Sequence, residues 1–500
     1  MNLMLLLEMA SSAFGERVAA THGDRSLSYA ELFRAAGRAA AGIRSSGAQH
    51  LAYLEESDLA LPVALFASAW AGVAFAPLSY RKSAAEIEAL LQTITPTRLV
   101  TDGPLCESLG KLEGVVSESR SDFLASASTE GALADGWPMD PEGVAVLLFT
   151  SGTSGAPKAA LLRQRHLVSY VLGSVEFMGA AEADAALVCV PPYHIAGIAA
   201  LCSSIYAGRR VVQLSRFDPE AWLETARRER VTNAFVVPTM LARILEALEG
   251  RKSADLPQLR ALSYGGGKMP LPVIERAMRL FPDTDFTNAY GLTETSSTVS
   301  LLGPEDHRAA AASEDPATRR RLTSVGRPLP SLEIEVRDEA GRVLPAGERG
   351  EIFVRGEQVS GEYRARGSAL VAGGWFPTRD GGFVDGEGYL FVEGRIDDVI
   401  VRGGENLSPG EIEDVLLEHA AVAAVAVVGV PDEQWGEAVA AAVVLRAGQS
   451  ASAGELAAFV KAKLRSTRVP ERIEFWDELP HNETGKLLRR CVRARLAGEV

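Results

Sequence analysis

Short, largely apolar runs recur along the first two thirds of the chain, separated by stretches of helical periodicity. Leu187–Val190, Val211–Leu214, Ala234–Val237 and Leu259–Ser263 have the length and composition of strands buried on both faces. Pro219–Arg230 and Thr239–Leu248 place apolar residues at helical spacing between them. Such alternation predicts a layered, doubly wound α/β fold with parallel sheets. Helix starts are marked by S-x-x-E, in which Ser and Glu satisfy each other's exposed amides. Ser28 with Glu31, Ser408 with Glu411 and Ser452 with Glu455 fit it, and Pro409 stands at the favoured first helical position.

From about Leu332 the period shortens to two. Ser331–Asp338, Gly350–Arg355 and Gly388–Val392 alternate apolar and polar residues around Gly and Asp turns, which predicts a small antiparallel unit over 325–394. After Gly394-Arg395-Ile396-Asp397 the pattern starts afresh. A capped helix (409–419) leads to strand-like Val422–Val430 and Ala438–Leu445, then to a second capped helix (453–464). A segment of about 100 residues with its own apolar faces makes a separate α+β domain. The expected division is therefore 1–394, a connector at 395–397, and 398–500. The Ala/Ser/Glu-rich stretch 114–136 carries no periodic signal.

One segment needs weighing against a membrane. Leu59–Tyr80 has no charged residue and enough length to span. Pro62, Gly72 and Pro77 interrupt it and seven of its residues are Ala, so a buried helix followed by a buried strand is the better reading. The N-terminus has no basic region and meets Glu8 too early for a signal peptide.

Composition narrows the class further. With 500 residues, 47% hydrophobic and 23% charged, the chain reads as a globular protein of about two to four structural units. Sixty-five acidic against 51 basic residues give a net charge of −14, which argues against general nucleic-acid binding. Cys106, Cys189, Cys202 and Cys491 are scattered without a C-x-x-C, as expected of free thiols in a reducing cytoplasm.

The chemistry concentrates in a few clusters. Thr150-Ser151-Gly152-Thr153-Ser154-Gly155-Ala156-Pro157-Lys158 follows the apolar run Val144–Phe149, so a buried strand opens into a loop that can aim amides and hydroxyls at a polyphosphate. It is not a Walker loop, because Pro157 precedes the lysine and Ala159 follows it. Asn288-Ala289-Tyr290-Gly291-Leu292-Thr293-Glu294 joins an aromatic that can stack on a base, a hydroxyl for a phosphate, and a carboxylate suited to Mg²⁺. Alone it also fits a turn with a solvated acid. Asp380 can accept from ribose hydroxyls or cap a loop, and Arg395 with Asp397 can form a surface pair of little worth. Gly403-Gly404 lets backbone approach a ligand closely, and Lys486 sits on a glycine-hinged turn near the end.

In this order and spacing the clusters resemble the adenylate-forming superfamily of acyl- and aryl-CoA synthetases, peptide-synthetase adenylation domains and luciferases. The resemblance runs from Leu27-Ser28-Tyr29 to Lys486, and S-G-T-S-G-A-P-K, Y-G-L-T-E and G-R-I-D-D-V-I-V-R-G-G-E-N are its most specific pieces. It implies a large N-terminal domain of doubly wound α/β subdomains with a small β-barrel-like part, followed by a mobile α+β domain. It also implies an enzyme that activates a carboxylic acid with ATP as an acyl-adenylate and passes it to the thiol of coenzyme A. Thr150, Ser151, Gly152, Thr153, Ser154, Gly155 and Lys158 would hold the outer phosphates. Gly265, Gly266 and Gly267 with Asn288, Ala289, Tyr290 and Gly291 would enclose adenine. Thr293 would lie near the α-phosphate, Glu294 on Mg²⁺, and Asp380 and Arg395 on the ribose. Lys486 would counter charge in the adenylation transition state, Asp397 would be the hinge, and Gly403 and Gly404 would line a pantetheine tunnel. His194 would stand between the acyl pocket and the thiol.

The acyl pocket falls to Tyr193, His194, Ala196, Gly197, Val237, Ser263 and Gly265, mostly apolar or small, which favours an aromatic, alicyclic or other apolar acid. No carboxylate occurs between Ala185 and Phe217, which disfavours α-amino acids. A carrier-protein pantetheine is the alternative acceptor, and the oligomeric state is monomer or homodimer. Two departures from the family pattern, Ala159 and Arg379 in place of glycines, raise a further alternative. Adenylation would be weak and the chain would serve mainly the second half-reaction.

Overall fold

The computed structural model describes residues 1–103, 108–129, 131–150, 158–481 and 487–499. Two large sheets share a layer of helices. The nine-stranded sheet runs, edge to edge, Arg327–Pro328, Ser297–Leu302, Asp285–Leu292, Ala261–Gly265, Asn233–Val236, Ala185–Val188, Arg210–Gln213, Val18–His22 and Arg25–Ser28. Its interior pairings are parallel, as the apolar runs predict, and antiparallel pairing is confined to the edges. The eight-stranded sheet has Val144–Thr150, Ala74–Pro77, His50–Tyr53, Thr97–Val100 and Val115–Glu118 in parallel, and the hairpin strand Lys158–Arg163 returns antiparallel to the first of these.

Between the sheets lie Met4–Phe14, Tyr29–Ser46, Ala60–Ala71, Gln164–Ser174 and Ile195–Tyr206. They pack on Ala19, Val188 and Val211 of one sheet and Leu51, Phe75 and Val146 of the other. The uncharged segment at 59–80 is thus the buried helix Ala60–Ala71 followed by the buried strand Ala74–Pro77. Among the described residues no helix is long and apolar enough to cross a membrane. Helices Pro219–Arg228, Pro238–Ala247 and Leu271–Leu280 cover the far face of the nine-stranded sheet.

The period-two region forms a four-stranded antiparallel sheet, Glu333–Arg337, Gly350–Arg355, Phe376–Val384 and Leu390–Arg395. A fourth sheet of five strands begins at Ile400–Arg402, and its long hairpin Val422–Asp432 and Gly436–Leu445 has helices packed on both faces. Lys268, between strand Ala261–Gly265 and helix Leu271–Leu280, reaches the first helix of this last unit, Pro409–Leu417. Its Nζ lies 2.6 Å from Asp414 Oδ2 and 3.2 Å from the Gly410 carbonyl.

Local signals fare unevenly. The Ser28 and Ser452 capping boxes form, and so does an unremarked one at Ser83 with Glu86. The box expected at Ser408 does not. Helix Pro409–Leu417 starts there, but the Ser408 hydroxyl makes no cap bond, and the Glu411 carboxylate accepts from Arg468 Nε at 2.7 Å. The featureless stretch 114–136 holds the strand Val115–Glu118 and the helix Arg120–Ser128.

Candidate active site

Several of the predicted site residues, among them Thr150, Lys158, Gly265 and Gly291, lie at or near strand ends. Thr150 ends its strand and Lys158 begins the return strand, with the two paired in register and the Thr150 hydroxyl on the Lys158 carbonyl at 3.3 Å. Ser151, Gly152, Thr153, Ser154 and Gly155 lie outside the described residues, as does Lys486. Ala159 pairs with Phe149 in the regular hairpin and has no left-handed backbone, so the missing glycine costs no strain there.

Gly265 ends the neighbouring strand directly beside Ala289. A Cβ on Gly265 would stand 2.1 Å from the Ala289 carbonyl oxygen, and one on Gly291 would stand 1.7 Å from that of Ser297. Both close approaches require glycine. Asn288 is buried and its Nδ2 donates to the Ser324 carbonyl at 2.8 Å. Tyr290 donates its hydroxyl to Asp380 Oδ2 at 2.7 Å, and Arg395 Nε lies 3.2 Å from Asp380 Oδ1. Burial and the facing Asp380 carboxylate both push the Tyr290 phenol upward, so it stays a donor. The motifs around 290, 380 and 395 therefore meet.

Thr293, Glu294 and Thr295 form a single 3₁₀ turn. A segment that the sequence reading passed over frames it. Amides of Ser360 and Gly361 donate to the Glu294 carbonyl at 2.8 and 3.2 Å, and the Tyr363 hydroxyl donates to Glu294 Oε1. Lys158 Nζ lies 5.8 Å from the centre of the same Tyr363 ring. Directly after the turn, Ser296 and Ser297 adopt φ of 56° and 106°, conformations that cost about 1–3 kcal/mol each in ordinary residues. Gln358 Nε2 holds this turn by donating to the Thr295 and Thr298 carbonyls at 2.9 and 2.8 Å. Nothing in the periodicity marks Gln358 or Tyr363, because the strand Glu362–Tyr363 is only two residues long.

The donor set suits magnesium. Among the described residues no group of three His, Cys, Asp or Glu side chains gathers. A single carboxylate such as Glu294 is what Mg²⁺ needs when substrate phosphates and water supply the remaining oxygens.

His194 caps helix Ile195–Tyr206, and its Nε2 is buried with no hydrogen-bond partner among the described residues. Burial and then the Arg81 charge lower its imidazole to about 4, so the ring is neutral near pH 7. Tyr193 packs between it and Tyr80, with ring centres 5.3 and 5.5 Å away. Ala196 and Gly197 lie in the first turn of the same helix, Val237 precedes helix Pro238–Ala247, and Ser263 sits mid-strand opposite Phe235. Gly403 and Gly404 form the turn between Ile400–Arg402 and Glu405–Leu407, where the Gly403 amide donates to the Trp435 carbonyl at 2.8 Å.

Residues 7–364 match the AMP-binding enzyme family, and residues 411–486 match the AMP-binding enzyme C-terminal domain. The chain belongs to the AMP-binding enzyme family. Within it, the chain is of the acyl- and aryl-CoA synthetase type. A feruloyl-CoA synthase of Amycolatopsis is 35% identical over 488 residues, 95% of each chain. A fatty acid–[acyl-carrier-protein] ligase of Streptomyces coeruleorubidus is 33% identical, over 95% of this chain and 92% of its own. Among solved structures, the o-succinylbenzoate CoA synthetase of Bacillus subtilis with its acyl-adenylate intermediate superposes with a TM-score of 0.84. It is 31% identical, over 98% of this chain and 97% of its own. The same synthetase has been solved with ATP and a magnesium ion. In this AMP-binding enzyme Arg379, which stands where the family pattern has glycine, donates from its guanidinium to Asp397 Oδ1 at 2.6 Å.

Proposed function

We propose that this chain is an AMP-forming acid–thiol ligase acting in the cytoplasm on an apolar carboxylic acid, with coenzyme A as the acceptor. A carboxylate oxygen attacks the α-phosphorus of ATP, and the bond to the bridging oxygen breaks to release pyrophosphate. The thiol sulfur then attacks the acyl carbon and AMP departs.

The observation that carries this reading is the meeting of Tyr290, Asp380 and Arg395, one 3₁₀ turn away from Glu294, Tyr363 and Lys158. In our assignment Asp380, oriented by Tyr290 and Arg395, takes the ribose hydroxyls. Gly265–Gly267 and Asn288–Gly291 form the adenine wall, and Thr293 serves the α-phosphate. Thr150, Ser151–Gly155 and Lys158 take the outer phosphates. Glu294 would hold Mg²⁺, which supplies charge neutralisation on the phosphates when bound. Lys486 balances the charge that builds as the carboxylate attacks, an effect worth about 3–4 kcal/mol per preorganised donor. Asp397 is the hinge between residues 1–394 and 398–500, with Gly403 and Gly404 guiding the pantetheine arm. A neutral, apolar-flanked His194 suits a divider between acyl pocket and thiol.

Tyr193, Ala196, Gly197, Val237, Ser263 and Gly265 offer mainly apolar and small surfaces, which favours an aromatic or alicyclic acid over a dicarboxylate. The buried thiols Cys189 and Cys202, each pushed up to about 12 by burial, fit a reducing compartment. The carrier-protein ligase among the relatives favours one second reading, in which a carrier's pantetheine is the acceptor. The test is a panel of ferulate, 2-succinylbenzoate, benzoate, cyclohexanecarboxylate and octanoate, each assayed for AMP and for thioester with CoA. An apolar acid giving both products in equal amounts supports the proposal. AMP release without CoA thioester from every acid would refute CoA as acceptor.

A further inference from the structure

Arg379 occupies a position that glycine would fill more cheaply. Its φ is +62°, a left-handed conformation that a side chain destabilises, yet the chain keeps its longest cation there. The side chain has a definite destination. Nη2 lies 2.6 Å from Asp397 Oδ1, and Nη1 lies 3.9 Å from Glu351 Oε2. The Arg379 amide donates to Glu351 Oε1 at 3.0 Å, which fixes the strained backbone to the adjacent strand. One end of the pair is therefore built into the four-stranded sheet. The other, Asp397, lies in the turn Ile396–Asp398, which joins the last strand of that sheet to Ile400–Arg402 in the next unit. Lys268 makes a second tie to the same unit through Asp414 and Gly410.

We propose that Arg379 is a positioning residue that latches the interdomain connector: by holding the Asp397 carboxylate it biases the C-terminal unit toward the arrangement seen here, and the swing between half-reactions requires its release. The proposal rests on the reading of two half-reactions served by one mobile unit. Arg379 and Asp397 are 55% and 51% exposed at their side chains, so salt weakens the latch. Nucleotide binding does not depend on it, because Asp380 has its own partners in Tyr290 and Arg395.

The test places nitroxide labels at Met139→Cys and Gln449→Cys, in a background with Cys106→Ser and Cys491→Ser, and measures the distance distribution by pulsed electron resonance. Arg379→Gly relieves the left-handed backbone, so it folds at least as well as the parent. It is expected to change the ratio of conformations about two- to fivefold at low salt, the range of an exposed ion pair. At 1 M salt the two proteins should coincide, and at each salt the two should bind ATP with equal affinity. Arg379→Lys, which keeps the charge but loses the planar fork, should fall between them. In the same proteins, the ratio of ATP–pyrophosphate exchange to thioester formation from supplied acyl-adenylate should move with the conformational ratio. An Arg379→Gly distance distribution equal to the parent's at low salt would overturn the latch. Loss of exchange in the parent itself would instead refute the parent reading, and the distances would still decide the latch.

Discussion

The phenol of Tyr363 donates to the carboxylate of Glu294, while Lys158 stands over the same aromatic ring. One side chain thus neighbours both the proposed metal-binding acid and the lysine proposed to hold phosphate. Burial and the facing carboxylate push the Tyr363 hydroxyl upward, so it remains protonated and holds Glu294 in one orientation. Hydrogen bonds to charged groups are worth about 1.5–3 kcal/mol. Tyr363→Phe is therefore expected to raise the Mg²⁺ concentration for half-maximal ATP–pyrophosphate exchange about tenfold or more. Thioester formation from supplied acyl-adenylate should keep its rate. An unchanged Mg²⁺ titration would remove Tyr363 from the site.

Tyr290 and Asp380 form the corresponding pair at the proposed ribose site. Tyr290→Phe keeps the ring and deletes the donor at 2.7 Å, leaving Asp380 with Arg395. The expected result is ATP binding weakened roughly fivefold, the worth of about one net hydrogen bond, with little change in the affinity for the acid. Isothermal titration with ATP and with the acid separately reads both. Equal weakening of the two ligands would contradict the assignment of Asp380 to ribose.

Gly291 is fixed by sterics rather than by ligand chemistry. A methyl group there would collide with the Ser297 carbonyl at 1.7 Å, and the obstacle is backbone held by Gln358 and Thr295. Gly291→Ala should cost about 3 kcal/mol or more and displace Glu294 with the turn. Thermal denaturation should show a lower apparent Tm, and surviving protein should lack exchange activity. A parental Tm with parental exchange would mean the turn yields easily.

His194 gives a pH signature. Its imidazole sits at about 4 in the fold against about 6.5 when unfolded, so only the unfolded chain takes up a proton between these values. Stability is unaffected above about pH 7, falls as pH drops through 6.5, and levels off below about 4. At pH 5 the loss is about 2 kcal/mol. His194→Phe should show a smaller drop in apparent Tm from pH 7 to 5 than the parent. His166, lowered to about 3 by burial, contributes equally to both proteins. Identical drops would show that His194 is accessible to protons in the fold.

Much of this architecture was legible in the sequence because it rests on local patterns. The buried strands around 187, 211, 234 and 261 announce themselves as apolar runs, and Ser28 and Ser452 find their cap partners three residues away. What the sequence hid depends on distant competitors. Glu411 abandons Ser408 for Arg468, 57 residues on, and Tyr363 meets Glu294 across 69 residues. Arg379 stood out in the sequence as a charge in a glycine's place. Its partner did not, since Asp397 lies 18 residues on and is brought beside Arg379 by the antiparallel pairing of Asp380 with Arg395.

The central claim is that an acid carboxylate attacks the α-phosphorus of ATP at the site proposed around Tyr290, Asp380 and Glu294. It is tested most directly by turning over the carboxylic acid that best supports AMP release, labelled with 18O in both carboxylate oxygens. The account predicts AMP carrying one 18O atom and unlabelled pyrophosphate. Label in inorganic phosphate or pyrophosphate, or AMP without label, would contradict it.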